Sequence, residues 1–413
     1  MDASSPFYDQ LVDIFIDKGI IQAIDHKLEL VAQTIIEAEG LCISSGWTDI
    51  FADYGEPGYE HKETIHSGLA SAAAGGFTSV FTIPNTLPVT SSKSMVQYQL
   101  KQAAGHVVQL HPLGAISKDA EGKNLAELLD MHAHGAIAFS DGWKPVQQAN
   151  LMLKALEYAK AFDGTLIQIP ADAALSAGGL MHEGPESTRL GMPGIPVLAE
   201  TLQLYRDIEL LRYTGSRLHV TGISAAASVA MIRQAKLEGL DISCSVTPYH
   251  LVFNDTALRS YNSQYKVMPP LRSEEDRQAL IAGLKEGTID CIASHHRPQE
   301  WDAKAKEFEY ASDGMNVQEL AFAAVYDSLK GQVPEERIID ALSVRPAALF
   351  GLNKAGVNKG ATADLTLFSF SAVTHKPLLH SRSANNPFTG RSLSGKVLAV
   401  IKNDKIVFNE NNQ

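Results

Sequence analysis

The chain has 413 residues, 45% of them hydrophobic, which is enough for one large core plus a smaller unit and too long for a single small module. Its formal net charge of −12 excludes the basic face that a nucleic-acid or anionic-membrane partner needs. Three cysteines, Cys42, Cys244 and Cys291, stand far apart without CxxC spacing, which excludes a zinc knuckle and a disulfide framework and fits buried thiols in a reducing compartment. No basic segment followed by an apolar stretch opens the sequence, and no window reaches the roughly 18 apolar residues of a membrane span. A cytoplasmic protein is expected.

The first element, DIFIDKGIIQAI, alternates apolar and polar residues around an Asp-Lys-Gly turn signal and reads as a hairpin. From residue 42 to about 295, short apolar runs then alternate with helical patterns: LCISSGWTDI, TSVFTIPN, VVQLHPLGAIS, AIAFSD, TLIQIPAD, RLHVTGIS, ISCSVTP and TIDCIASHH. Between them lie NLMLKALEYAKAF, AAASVAMIRQAKLEGL and EEDRQALIAGLKEG, two of which end in glycine as a helix C-cap does. SGLASAAAGGFTSVFTIPN forms a clear unit: a small-residue helix, a Gly75-Gly76 stop, and a β-branched and aromatic strand. These units predict a (β/α)₈ barrel whose active site lies at the C-terminal ends of the strands. A doubly wound sheet would call for a GxGxxG after the first strand, and none is there. The C-terminal stretch ADLTLFSF...GKVLAVIKNDKIVFNE alternates again, with Asn-Asp-Lys as a turn. The expected layout is α/β: a TIM barrel over 46–354 and a small composite β-sandwich domain built from 1–45 and 355–413. No internal repeat and no low-complexity tract interrupts it.

GEPGYEHKE, AAAGGFTSVFTIPNTLPV, GGLMHEG, KVMPPLRSEEDRQAL, GTIDCIAS and ANNPFTGRSLSGKV together resemble the bacterial dihydroorotases of the amidohydrolase superfamily. The resemblance runs over nearly the whole chain, in order and with little shift of spacing. It implies a barrel of the amidohydrolase type, and a β domain that in the family has one more strand ahead of the position of Met1. It also implies an activity, hydrolysis or closure of a cyclic amide at a one- or two-zinc site. There a metal-bound hydroxide attacks the carbonyl and an aspartate after strand eight shuttles the proton. That chemistry needs a cation able to bring the pKa of bound water to roughly 7.

The positions matching the family's ligands carry other residues. The strand-one HxH pair is Phe51 and Asp53, and the arginine expected two residues later is Gly55. The FSDDG-like pattern after strand four reads FSDGW, with Gly142 and Trp143 in place of the bridging aspartate and its glycine. The strand-five histidine falls near Ile169, and the strand-six histidine is Gly222, although His219 at the motif's first position is kept. The strand-eight aspartate of a DHAPH-like motif is His295 in SHHRPQ, its last histidine is Gln299, and Met268 replaces a substrate-side asparagine. Asp53 and His295 supply at most two donors where zinc takes about three or four. The expectation is therefore no catalytic residue and no metal or other cofactor at this mouth.

Asn85 and His296 match substrate-side positions and are candidates for a remnant pocket. His295 and His296 also suggest a relocated metal site, but neighbours on a continuing strand point to opposite faces, so only one would enter the mouth. His132 and His134 fall at the start of strand four, the wrong end of the barrel. The resemblance extends to catalytically inactive dihydroorotase-like subunits, which implies a homo- or hetero-oligomer, with aspartate carbamoyltransferase as the implied partner. The alternative is an active cyclic amidohydrolase with a reorganised site.

Overall fold

The computed structural model describes Met1 and residues 5–375 and 379–409. Eight parallel strands form the central sheet in chain order: Trp47–Ala52, Phe77–Thr82, Gln109–Gly114, Ala138–Phe139, Thr165–Gln168, Arg217–Thr221, Ile242–Val246 and Cys291–Ile292. Each pairs with the next. The last meets the first through a bridge between Ala52 and His296, where Asp53 N–H donates to the His296 carbonyl at 2.8 Å. The result is a nearly closed barrel.

Helices cover the outside, so strands such as Trp47–Ala52 and Phe77–Thr82 are buried on both faces, which explains their near-continuous apolar reading. The helix Ile65–Ala74 starts at a capping box between Thr64 and Ser67, and its small residues Ala72 and Ala73 let it lie close on the second strand. Two cores result. The outer one, between strands and helices, holds Trp47, Leu69, Val80, Leu110 and Leu218. The inner one fills the barrel with Ile50, Phe51, Phe81, Leu113, Ile167, Ile169 and Cys291. Phe51 and Ile169, two positions that the family pattern assigns to metal ligands, are therefore packing residues of the barrel interior.

The ends of the chain form antiparallel sheets. Strands Asp13–Asp17 and Ile20–Asp25 make a hairpin with a bulge. Leu41–Ser45, Asp364–His375, Ser392–Lys402 and Lys405–Phe408 make a four-stranded sheet in which N- and C-terminal segments pair directly. Ile21 and Ile24 of the hairpin share a core with Leu365, Leu367 and Leu398 of the sheet, and an Ile20–Thr362 bridge ties the two together.

One sequence reading needs correction. LCISSGWTDI is two strands in different sheets, divided at Gly46. Gly46 N–H donates to the Asp364 carbonyl at 2.8 Å, and any side chain at 46 would collide with Asp364 and Thr78, so only glycine lets the chain pass from one sheet to the other here. Among the described residues no helix is long and apolar enough to cross a membrane.

Candidate functional site

The C-terminal ends of strands one, four, six and eight converge on a cluster of three rings. Phe51, fully buried, stacks on the His295 imidazole with centroids 4.5 Å apart and planes 29° from parallel. The Trp143 indole meets Phe51 edge-on at 5.1 Å and His295 at 5.5 Å. Strand eight ends at Ile292, and His295 turns inward with a backbone φ of +48°. The histidine pair therefore does not lie on a continuing strand. His295 enters the mouth, while His296 packs edge-on against Tyr54 with its Nε2 3.4 Å from Glu63 Oε2.

His295 heads a chain of side-chain hydrogen bonds across the barrel interior. Its Nε2 lies 2.7 Å from Thr221 Oγ1, which lies 2.8 Å from Ser245 Oγ. Ser245 Oγ is 3.0 Å from His219 Nε2, and His219 Nδ1 is 2.8 Å from Ser243 Oγ. Burial drives His219 down to about 3 and, with the His250, His219 and Arg297 charges adding to it, holds His295 well below the usual histidine range. Among the described residues, His295 Nδ1 is buried without a hydrogen-bond partner.

The other positions complete the wall. Asp53 accepts from Trp143 Nε1–H at 2.8 Å and from Gly55 N–H at 3.1 Å. Burial raises its pKa, opposed by the Trp143 bond and the Arg297 and Lys62 charges. Asn85 is held at both ends of its amide, donating to the Asp141 carbonyl at 3.0 Å and accepting from Trp143 N–H at 2.9 Å. A side chain at Gly142 would collide with that amide. Gly222 sits at φ +70°, and a Cβ there would lie 2.5 Å from His295 Cε1. The glycine and the inward imidazole are thus mutually dependent.

Zinc needs three or four N, O or S donors converging at roughly 2.0–2.3 Å. Here Phe51 and Ile169 are apolar core, Gly142 and Gly222 carry no donor, Asp53 is occupied by Trp143 and Gly55, and His295 lies face to face with a phenyl ring. Among the described residues no group of three or more His, Cys, Asp or Glu side chains is arranged to hold a metal ion. The residues present do not fit the family's metal. His132 and His134 stand on or just after the short helix Leu128–Ala133 and bond to nearby carbonyls, of Ala136 and Asp130, away from the mouth.

A cavity of about 260 Å³ remains beside the ring cluster, lined among others by Asp53, Gly55, Asn85, Trp143, Arg297 and Gln299. Asn85 is in its wall. His296 is not in that wall; it lies behind it, with its Nε2 3.4 Å from Glu63 Oε2. Glu63 itself also accepts from Ser67, Ser381 and the Arg382 N–H. Those hydrogen bonds and His296 outweigh burial, the largest single influence, and leave its pKa below the usual carboxylate value. The segment ANNPFTG closes the same rim: Asn385 donates to the Arg297 carbonyl at 3.0 Å and accepts from Gln299 N–H at 3.0 Å.

Sequence reasoning passed over three cations of this wall, Lys62, Lys144 and Arg297. Lys62 and Arg297 were legible in GEPGYEHKE and SHHRPQ.

Comparison with known proteins agrees with the architecture. Residues 40–228 match the dihydro-orotase-like family. The dihydroorotase of Syntrophus aciditrophicus (strain SB) is 40% identical over 408 residues, 97% of this chain and 96% of that protein. That of Acetivibrio thermocellus is 38% identical over 405 residues, 97% and 95% of the two chains. Among solved structures, the L-hydantoinase (dihydropyrimidinase) from Arthrobacter aurescens superposes with a TM-score of 0.85 over 96% of this chain and 92% of that one, at 23% identity, a likeness of fold alone. Identity at this level along nearly the full length of both chains settles descent, and the chain belongs to the dihydroorotase family of the amidohydrolase superfamily.

Proposed function

We propose that this chain is a non-catalytic dihydroorotase homologue that serves as a structural partner of aspartate carbamoyltransferase in the cytoplasm. The family activity is the hydrolysis of a cyclic amide in pyrimidine biosynthesis. The observation that carries the reading is the Phe51–His295 stack, closed on its third side by Trp143. It puts apolar ring surface where the reaction needs a cation, and without one, water keeps its bulk pKa of about 15.7.

Two further features support a role in assembly. The substitutions concentrate at the strand ends, while strand pairing, helix caps and both cores are consistent with one another throughout. Drift without use would have reached the core as well, since random substitutions destabilise by about 1 kcal/mol on average. The helix Val197–Thr214 also carries Leu198, Leu202, Tyr205 and Tyr213, all exposed and all on one face.

Co-expression with aspartate carbamoyltransferase followed by size-exclusion chromatography tests the reading. A common peak at micromolar concentration, with the transferase stabilised, is expected. Separate elution with transferase stability unchanged defeats it. The second reading, an active cyclic amidohydrolase with a reorganised site, draws on the open cavity that keeps Asp53 and Asn85 in its wall. Dihydroorotate turnover sensitive to His295→Ala would favour it.

A further inference from the structure

We infer that the outward face of the helix Val197–Thr214 is an interface between two copies of this chain, crossed antiparallel about a two-fold axis near Tyr205. The inference goes beyond the transferase partnership and stands without it, since self-association is read on the chain alone.

The helix leaves Leu198, Leu202, Tyr205, Glu209, Arg212 and Tyr213 exposed, and its other residues are buried or half-buried. At helical spacing these positions fall on one stripe, which in a surface helix is ordinarily charged or polar. Here most of it is Leu and Tyr, from 48% exposed at Leu202 to 78% at Tyr213. Leu237, 77% exposed at the end of the neighbouring helix Ala226–Leu237, adds to the patch, because Arg212 reaches across to Glu238 at 2.5 Å and brings the two helix ends together. Exposed apolar residues scattered singly need no explanation, but a contiguous group does.

The area suits a dimer. These five large side chains, at their exposures, are worth about three fully exposed ones, on the order of 600 Å² at roughly 200 Å² each. A stable interface takes about 800 Å² from each partner. An isologous pairing uses the same patch on both subunits, so the apolar part comes close to that figure and a polar rim supplies the remainder.

Charge selects a second copy over a basic or an acidic partner. Arg212 pairs with Glu209 on its own helix and with Glu238 beside it, so the charges of the stripe are already compensated on the same surface. A strongly charged partner would find little there to pair with. The chain as a whole carries −12, and two copies repel wherever carboxylates predominate, so a face of compensated charge is where they approach. The order of residues fits as well. Leu198 and Tyr213 stand near opposite ends of the helix and Tyr205 near its middle. Crossing at Tyr205 sets Leu198 toward Tyr213 of the partner subunit and gathers Leu202 and Tyr205 of both copies at the centre, where tyrosines carry much of an interface's energy.

Light scattering after gel filtration of the full chain at micromolar concentration tests this. The parent is expected at twice the 44.6 kDa of one chain. Leu202→Glu and Tyr205→Glu, both at exposed positions, should each weaken dimerisation at least tenfold, because the two-fold doubles every added charge. Tyr205→Glu and Tyr205→Lys, each dissociated alone, should associate when mixed. Leu11→Glu, at a position 90% exposed and outside this helix, should keep the parent's mass. A monomeric parent, or a dimer that Leu202→Glu and Tyr205→Glu both leave intact, overturns the proposal. Failure of the mixed pair to associate overturns the crossing at Tyr205. A monomeric parent that elutes with aspartate carbamoyltransferase, and no longer does so as Leu202→Glu, overturns the proposal while keeping the assembly reading.

Discussion

The Phe51 ring lies stacked on the His295 imidazole, centroids 4.5 Å apart, at the point where strands one and eight of the barrel close. Each ring fixes the other: Phe51 belongs to the apolar core inside the barrel, and His295 is anchored from behind by Thr221. Replacing Phe51 with alanine should therefore cost about 3–5 kcal/mol of stability, as for other fully buried aromatic residues. Urea unfolding followed by fluorescence measures it. A cost below about 1 kcal/mol would mean the ring is not part of the packed interior.

Gly222 should not tolerate a side chain. It stands at φ +70°, and a methyl group there would meet His295 Cε1 at 2.5 Å. Gly222→Ala should destabilise by about 2 kcal/mol or more, combining backbone strain with displacement of a pinned ring. Pairing it with His295→Ala should recover part of the loss, because the close contact disappears. A double-mutant cycle with no coupling would contradict the contact.

Trp143→Phe keeps a ring but removes the N–H that donates to Asp53 Oδ2. A half-buried carboxylate deprived of one hydrogen bond should cost about 1 kcal/mol. Asp53→Asn in the same background should recover some of it, since a neutral amide is cheaper to bury. Equal stability of parent and Trp143→Phe would show that Asp53 is solvated by another route.

Acidification should weaken the fold through its buried histidines. His219 titrates near 6.5 when unfolded and is driven down to about 3 by burial, and His250 and His111 are lowered in the same direction. Between those values the unfolded chain binds the additional proton. The stability contributed is therefore full above about pH 6.5 and lost as pH falls toward 3, at up to ~1.4 kcal/mol per unit for one group. His219→Gln removes that component, so the fall in unfolding free energy from pH 6.5 to 4 should be shallower than in the parent. An unchanged slope would mean that His219 already carries a proton when folded.

Much of the fold was legible in the sequence because its strands are bounded by physics that acts locally. Gly75-Gly76 ends a helix, Asp-Lys-Gly and Asn-Asp-Lys turn hairpins, and doubly buried strands read as apolar runs. LCISSGWTDI was misread as one strand because nothing local distinguishes its halves. What separates them is the distant Asp364, which takes the Gly46 N–H and starts the strand that Leu41–Ser45 joins. At the site, residue types alone showed which donors were missing. They did not show that His295 leaves the strand at positive φ, or that His296 meets Glu63, since both depend on residues far apart in sequence. That Arg297 lies over Trp143 and Lys62 over Tyr59 was invisible for the same reason, because what a cation packs against is a property of the packed mouth.

The claim that this barrel mouth has no place for a catalytic metal is tested most directly by a zinc titration of protein purified without chelator, with bound metal measured by elemental analysis after gel filtration. The account predicts no stoichiometric zinc at the mouth, and none gained by Phe51→His alone, because Asp53 stays bonded to Trp143 and Gly55 and the added histidine with His295 makes two donors where zinc requires roughly three or four. One or more equivalents of zinc retained by the parent chain, and lost in Asp53→Ala or His295→Ala, would contradict it.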